Sequence, residues 1–104
     1  MQTSPLRLVT VVGEAIIMED VAARGLSLGA TGYTLTPVNG RGSRDARNVI
    51  VSGAPGTMKI EFVVPAPVAE SILTMVARHY FEHHACIAWM SDVLVLGGEA
   101  HLSN

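Results

Sequence analysis

This chain of 104 residues has little that would supply a covalent staple, a membrane anchor or a strong charge. Its one cysteine, Cys86, excludes an intrachain disulfide and fits a reducing compartment. The formal net charge is −2, which argues against broad electrostatic attraction to nucleic acid. No apolar run reaches the length of a membrane span. Thr10, Gly13 and Glu14 interrupt the apolar start, so it lacks the continuous core of a secretion signal. What remains is 49% hydrophobic and long enough for one domain with a real core. These features predict a single soluble cytoplasmic domain over residues 1–104. Charged residues are only 15% of the chain, against about a quarter in ordinary domains. Part of the surface is therefore expected to be hidden by something other than this chain.

Periodicity orders the elements. Leu6 to Val12 is a Val-rich run of strand character, with a break expected at Gly13 and Glu14. Ala15 to Leu28 places Ile17, Val21 and Leu28 on one helical face, and Gly29 reads as the helix stop. Tyr33 to Val38 reads as a second strand. Pro37 cannot donate to a ladder, so this strand belongs at a sheet edge. Met58 to Val64 alternates Ile60, Phe62 and Val64 with Lys59, Glu61 and Val63. Pro67 suits the first turn of a second helix, whose apolar spacing continues to about residue 82. Ile87 to Leu96 is a fourth strand, and residues 97–104 are a polar tail. The order β-α-β-β-α-β predicts an α+β, ferredoxin-like fold. Its four-stranded antiparallel sheet would have the first and third strands at the centre. Two helices cover only one sheet face, yet the strands are apolar on both. Val9 and Val11 oppose Leu6, Leu8 and Val12, while Met90, Leu94 and Leu96 oppose Ile87, Trp89, Val93 and Val95. Burying the uncovered face gains about 25 cal/mol per Å², so a homo-oligomer with facing sheets is expected.

The most distinctive segment is the loop of about residues 39–57. It contains Gly40, Arg41, Gly42, Ser43, Arg44 and Arg47, and holds three of the seven Lys and Arg residues. Glycines let a backbone approach a ligand, consecutive N–H groups can form an anion nest, and arginine adds planar donors for phosphate or carboxylate. The loop should be the most mobile part of the free protein, because ordering it costs entropy with little burial. The plain alternative is a solvated face with Asp45 as local partner. His79 and His83 stand four apart on a helix, but no well-placed third ligand is visible. Histidines near a helix C-terminus suit the dipole, so no metal site is expected. Cys86, flanked by Ala and Ile, reads as a small core residue. Trp89 can stack on a base or serve core or subunit packing. Lys59 and Glu61 read as an ion pair or as ligand orienters.

Three segments, in order and at matching spacing, resemble the PII and PII-like signalling proteins. They are Leu28-Gly29-Ala30-Thr31-Gly32-Tyr33-Thr34-Leu35-Thr36, Gly40-Arg41-Gly42, and Lys59-Ile60-Glu61-Phe62-Val63-Val64-Pro65. The resemblance implies a homotrimer with adenine nucleotides in the clefts between subunits. It also implies a mobile T-loop, opened by Gly40-Arg41-Gly42, that docks on a partner. Thr34, Gly40, Gly42, Lys59, Glu61 and Val63 would form one wall of the cleft. Ile87, Ala88 and Trp89 of a neighbouring subunit would form the other. The family's phosphate-binding B-loop is replaced by His83-His84-Ala85-Cys86-Ile87, and its last-strand arginine pair by Leu94 and Leu96. Both changes count against tight triphosphate binding. The loop lacks a tyrosine for uridylylation, and Arg44 stands where a glutamine would serve 2-oxoglutarate. The loop start through Arg47 resembles the SbtB-type and carboxysome-associated PII-like group.

The expected function is a non-enzymatic sensor of AMP, ADP or cyclic AMP, with bicarbonate as a candidate second ligand. Its candidate partners are a bicarbonate transporter or a carboxysome-related protein. Arg41, Ser43, Arg44 and Arg47 would join the nucleotide contacts. The rival is a small ferredoxin-like enzyme with an active site between subunits, although no nucleophile–base pair supports it. A third class is a scaffold that uses the fold only for assembly.

Overall fold

A computed structural model describes residues 1–39 and 56–98 of the chain. The expected loop mobility, the nest and arginines of Gly40 to Arg47, and the tail beyond Gly98 lie outside the described residues. The order is β1 (Thr3–Glu14), α1 (Ala15–Ser27), β2 (Thr34–Pro37), β3 (Thr57–Val64), α2 (Ala66–Tyr80) and β4 (Cys86–Leu96). The strands form one antiparallel sheet in the order β2-β3-β1-β4, so β1 and β3 are central as the pattern predicts.

β1 is longer than its apolar run. Pro5 is tolerated because β1 pairs with β3 only from Arg7 onward, so the strand faces one neighbour where the proline stands. The expected break at Gly13 and Glu14 does not occur; both remain in strand pairing with β3. Glycine is needed at residue 13 for space, since a Cβ there would meet the Cys86 Cβ at 2.7 Å. α1 follows at once, with Glu14 extended at its N-cap. It closes through Gly29, at φ +123°, with Ala30 N–H bonded to Gly25 O at 3.1 Å and Gly29 N–H to Leu26 O at 3.1 Å. α2 starts from the extended Pro65 with Pro67 in its first turn, and ends two residues before the expected limit.

The helices cover one sheet face. Ile17 and Val21 of α1, and Ala69, Ile72 and Val76 of α2, pack onto Val9, Val11, Ile60, Phe62 and Val64, all buried. Phe62 is central because α1 leaves it a slot: a Cβ on Gly25 would sit 2.5 Å from the ring. Cys86 belongs to this core. Burial, and then the nearby Glu14 carboxylate, push its thiol up to about 11, so it stays protonated and unreactive.

Candidate ligand cleft on the uncovered sheet face

Strand alternation sends the other residues of β1, β3 and β4 to the face without helices. Register aligns them into rows. One row runs Thr34, Glu61, Thr10, Trp89; the next runs Thr36, Lys59, Val12, Ile87. A third places Leu8 between Val63 and Ser91. At the β2 edge the surface hollows into a cleft of about 300 Å³ lined by Leu8, Gly32, Tyr33, Thr34, Glu61 and Val63. The turn before β2 builds its outer lip, and Tyr33 is braced there by a tilted ring contact with Phe62 at 6.3 Å between centroids.

The cleft thus gathers Thr34, Glu61 and Val63 from the sequence-expected site. Lys59 lies one row further along the same face, beside Thr36. Leu8, Gly32 and Tyr33 are cleft residues that the sequence pattern does not assign. Gly32 and Tyr33 adjoin Thr34 in a segment that carries the family resemblance, so only their role is missed. Leu8 reads from its apolar alternation as assembly surface alone. Lys59 and Glu61 do not pair with each other; the ion pairs among the described residues are Arg7–Asp92, Arg24–Asp20, His83–Glu82 and His84–Glu14. A hydroxyl, a carboxylate and a nearby ammonium over an apolar floor suit a polar organic ligand that offers both donors and an anionic group.

Ile87 and Trp89 lie on this face at the opposite edge, two strands and about 10 Å from β3. Both are exposed. Ala88 is corrected as a side-chain member of that wall: alternation turns it the other way, packed against the core. A ligand on the cleft face could use only its backbone.

The histidine region is on the helical side. Arg24 Nε donates to Asp20 Oδ2 at 2.9 Å, Arg24 Nη1 contacts His79 Nε2 at 3.2 Å, and the Tyr80 phenol donates to Asp20. His83 stands apart, beside Glu82 at 3.5 Å. Among the described residues no group of three or more His, Cys, Asp or Glu could hold a metal ion. The Tyr80 and then the Arg24 hydrogen bonds hold the Asp20 carboxyl below its usual range. Burial, and then Asp20, push the Tyr80 phenol up to about 12, so it remains a donor. A carboxylate with a lowered folded pKa contributes stability above its unfolded value and loses it as pH falls through the folded one. Tyr80→Phe should therefore cost about 0.5–1.5 kcal/mol near neutrality. The gap from the parent should narrow as pH drops below about 4. Urea melts of both proteins across that range check this; a gap that stays constant contradicts it.

Comparison with known proteins places this geometry. The chain matches the nitrogen regulatory protein P-II family over residues 6–99. It belongs to the PII family. A protein assigned as PII-like in signalling, from Thermus thermophilus, is 39% identical with a TM-score of 0.81, over 97% of this chain and 99% of that one. CPII from Thiomonas intermedia, in a structure bound to ADP, AMP and bicarbonate, is 22% identical with a TM-score of 0.74, over 91% and 97% of the two chains. Bacillus subtilis GlnK in complex with ATP is 20% identical with a TM-score of 0.60, over 89% and 85%. The last two likenesses concern the PII fold alone. Among the described residues no helix is long and apolar enough to cross a membrane.

Proposed function

We propose that this PII-family protein is a non-enzymatic cytoplasmic sensor. It takes AMP, ADP or cyclic AMP in clefts between the subunits of a homotrimer, with bicarbonate as a second ligand. Ordering of the loop of residues 39–57 then alters docking on a partner in inorganic carbon acquisition, either a bicarbonate transporter or a carboxysome-related protein, as in the SbtB-type group.

The observation that carries this reading is the half-built cleft at the β2 edge. Thr34, Glu61 and Val63 supply one wall, and exposed Ile87 and Trp89 stand on the same face at the far edge. A closed ring of copies sets one copy's far edge against the next copy's cleft, which completes it. Such a ring also covers Leu8, Val63, Val93 and Val95, which are only partly buried in the single chain. Glu61 suits hydroxyl or amino donors of a nucleoside. Lys59 and the sequence-neighbouring loop arginines suit its phosphate. Leu94 and Leu96, where the resemblance would have arginines, share the strand face of Ala88 and add no charge for a third phosphate. The CPII structure that holds ADP, AMP and bicarbonate supports those three among the proposed ligands.

Isothermal calorimetry against AMP, ADP, ATP and cyclic AMP, with and without bicarbonate, tests the proposal. ADP or AMP should bind at least as tightly as ATP, without turnover, to a protein that light scattering weighs as a trimer. An ATP preference of tens of fold would show the phosphate contacts to be misassigned. Turnover would favour the enzyme reading, and a trimer that binds no nucleotide would favour the scaffold.

A further inference from the structure

We infer that the groove between α1 and α2 is a second ligand site, suited to a small organic zwitterion whose anionic group lies at Arg24 and Arg78 and whose ammonium group lies at Glu70. This does not rest on nucleotide binding, because the groove is on the helical side of the sheet, opposite the uncovered face. Its volume of about 760 Å³ is more than twice that of the cleft at the β2 edge. That falls within the roughly 300–1,000 Å³ of ordinary small-molecule sites.

Side-chain size opens the groove. Ala23 and Ser27 line it from α1, and Ser71 and Thr74 line it from α2. These short side chains leave the space between the helices empty. Met75, which is buried, gives it an apolar floor. The Ser71 hydroxyl is satisfied within its own helix, donating to Pro67 O at 3.1 Å.

Charge divides the groove into two ends. Glu70, Thr74 and Arg78 follow at helical spacing along one line of α2, and all three line the groove. Glu70 and Arg78 are therefore two turns apart, about 12 Å along the axis, too far to neutralise each other. Among the described residues neither makes a side-chain hydrogen bond or an ion pair. α1 runs antiparallel to α2: Arg24 reaches His79, while a Cβ on Gly29 would meet Val68 Cγ2 at 3.1 Å. Arg24 thus stands at the Arg78 end. Its Nε donates to Asp20 Oδ2 at 2.9 Å, and its Nη1 lies 3.2 Å from His79 Nε2. These two contacts fix the guanidinium beside Arg78, where the two planar groups suit a carboxylate or phosphate. At the Glu70 end the neighbouring lining residues are Pro67, Ser71 and Leu28, none of them charged. A ligand of one charge sign satisfies half of this groove, and a zwitterion satisfies both halves.

NMR titration of the full, isotope-labelled chain without nucleotide tests this with three probes: triglycine, succinate and ethylenediamine. Triglycine should shift the amides of Ser27, Thr74 and Arg78 saturably at millimolar concentrations and leave those of Thr34 and Glu61 in place. Succinate and ethylenediamine, each matching one end, should bind more weakly. Arg78→Ala and Glu70→Ala should each weaken triglycine binding about two- to fivefold, the scale of exposed charge pairs. Thr74→Phe, which fills the groove, should remove it. Thermal melts show whether each variant is folded; if Thr74→Phe is not, the two alanine variants decide. No saturable shift with triglycine overturns the inference. So does succinate or ethylenediamine binding as tightly as triglycine, or unchanged affinity in either alanine variant. Glu70 and Arg78 are then a solvated helix surface.

Discussion

Phe62→Ala should remove about 3–5 kcal/mol of stability, a large share of the roughly 5–15 kcal/mol available to an ordinary domain. The ring is fully buried among Val9, Ile60, Val64 and both helices. It occupies the slot that Gly25 leaves in α1, so no neighbouring side chain can swing in to fill the void. Tyr33 would also lose its ring partner, which loosens the lip of the cleft. Gly25→Ala attacks the same contact from the other side by placing a Cβ 2.5 Å from the ring, and overpacking of that kind costs about 1–3 kcal/mol. The two effects should not add, because shrinking Phe62 makes room for the new methyl. Urea denaturation of the parent, both single variants and the double variant, at one fixed chain concentration, measures this. Additive losses would mean that the slot is not shared.

Arg44→Ala and Arg47→Ala should each weaken nucleotide binding about ten- to a hundredfold, the equivalent of about 1.5–3 kcal/mol for a charge-assisted phosphate contact. Neither should lower the melting temperature, since both arginines fall in the sequence between β2 and β3, away from the apolar positions of the strands and helices. Added salt should reproduce part of the loss in the parent. Calorimetry with ADP, beside a thermal melt, separates the outcomes. Unchanged affinity in both variants would make these arginines a solvated face and move the phosphate to Lys59.

Much of the fold was legible because its signals are local. The alternation of Ile60, Phe62 and Val64 with Lys59, Glu61 and Val63 prescribed the two faces of β3, and Pro37 put β2 at the edge. Comparison with proteins of known structure then agreed with the resemblance carried by three short segments. The misreadings have a common physical origin, which is dependence on partners far away in sequence. Gly13 looks like a break but is a strand residue, because Cys86 needs the space. β1 begins at Thr3, before the run from Leu6 to Val12, and takes in Pro5 where only β4 is alongside. Ala88 sits between two residues of the uncovered face, and its opposite orientation follows from the pleat, which a contiguous motif conceals. The Asp20–Tyr80 bond joins residues 60 apart, and the Glu14–His84 bond joins residues 70 apart; no periodicity announces either.

The division of labour along β3 links ligand choice to the folded state itself. Phe62 and Glu61 are adjacent in the chain yet serve opposite sides of a single sheet. A frame shift of one residue between Thr57 and Val64 would exchange them, putting a carboxylate in the hydrocarbon core and a phenyl ring in the cleft. Length changes between β2 and β3 leave the alternation within β3 as it is, and Thr34 pairs with Glu61 inside the sheet. The chain is therefore free to diversify its connecting segment while the phase of β3 stays locked, and new specificities can be tried there without placing the scaffold at risk.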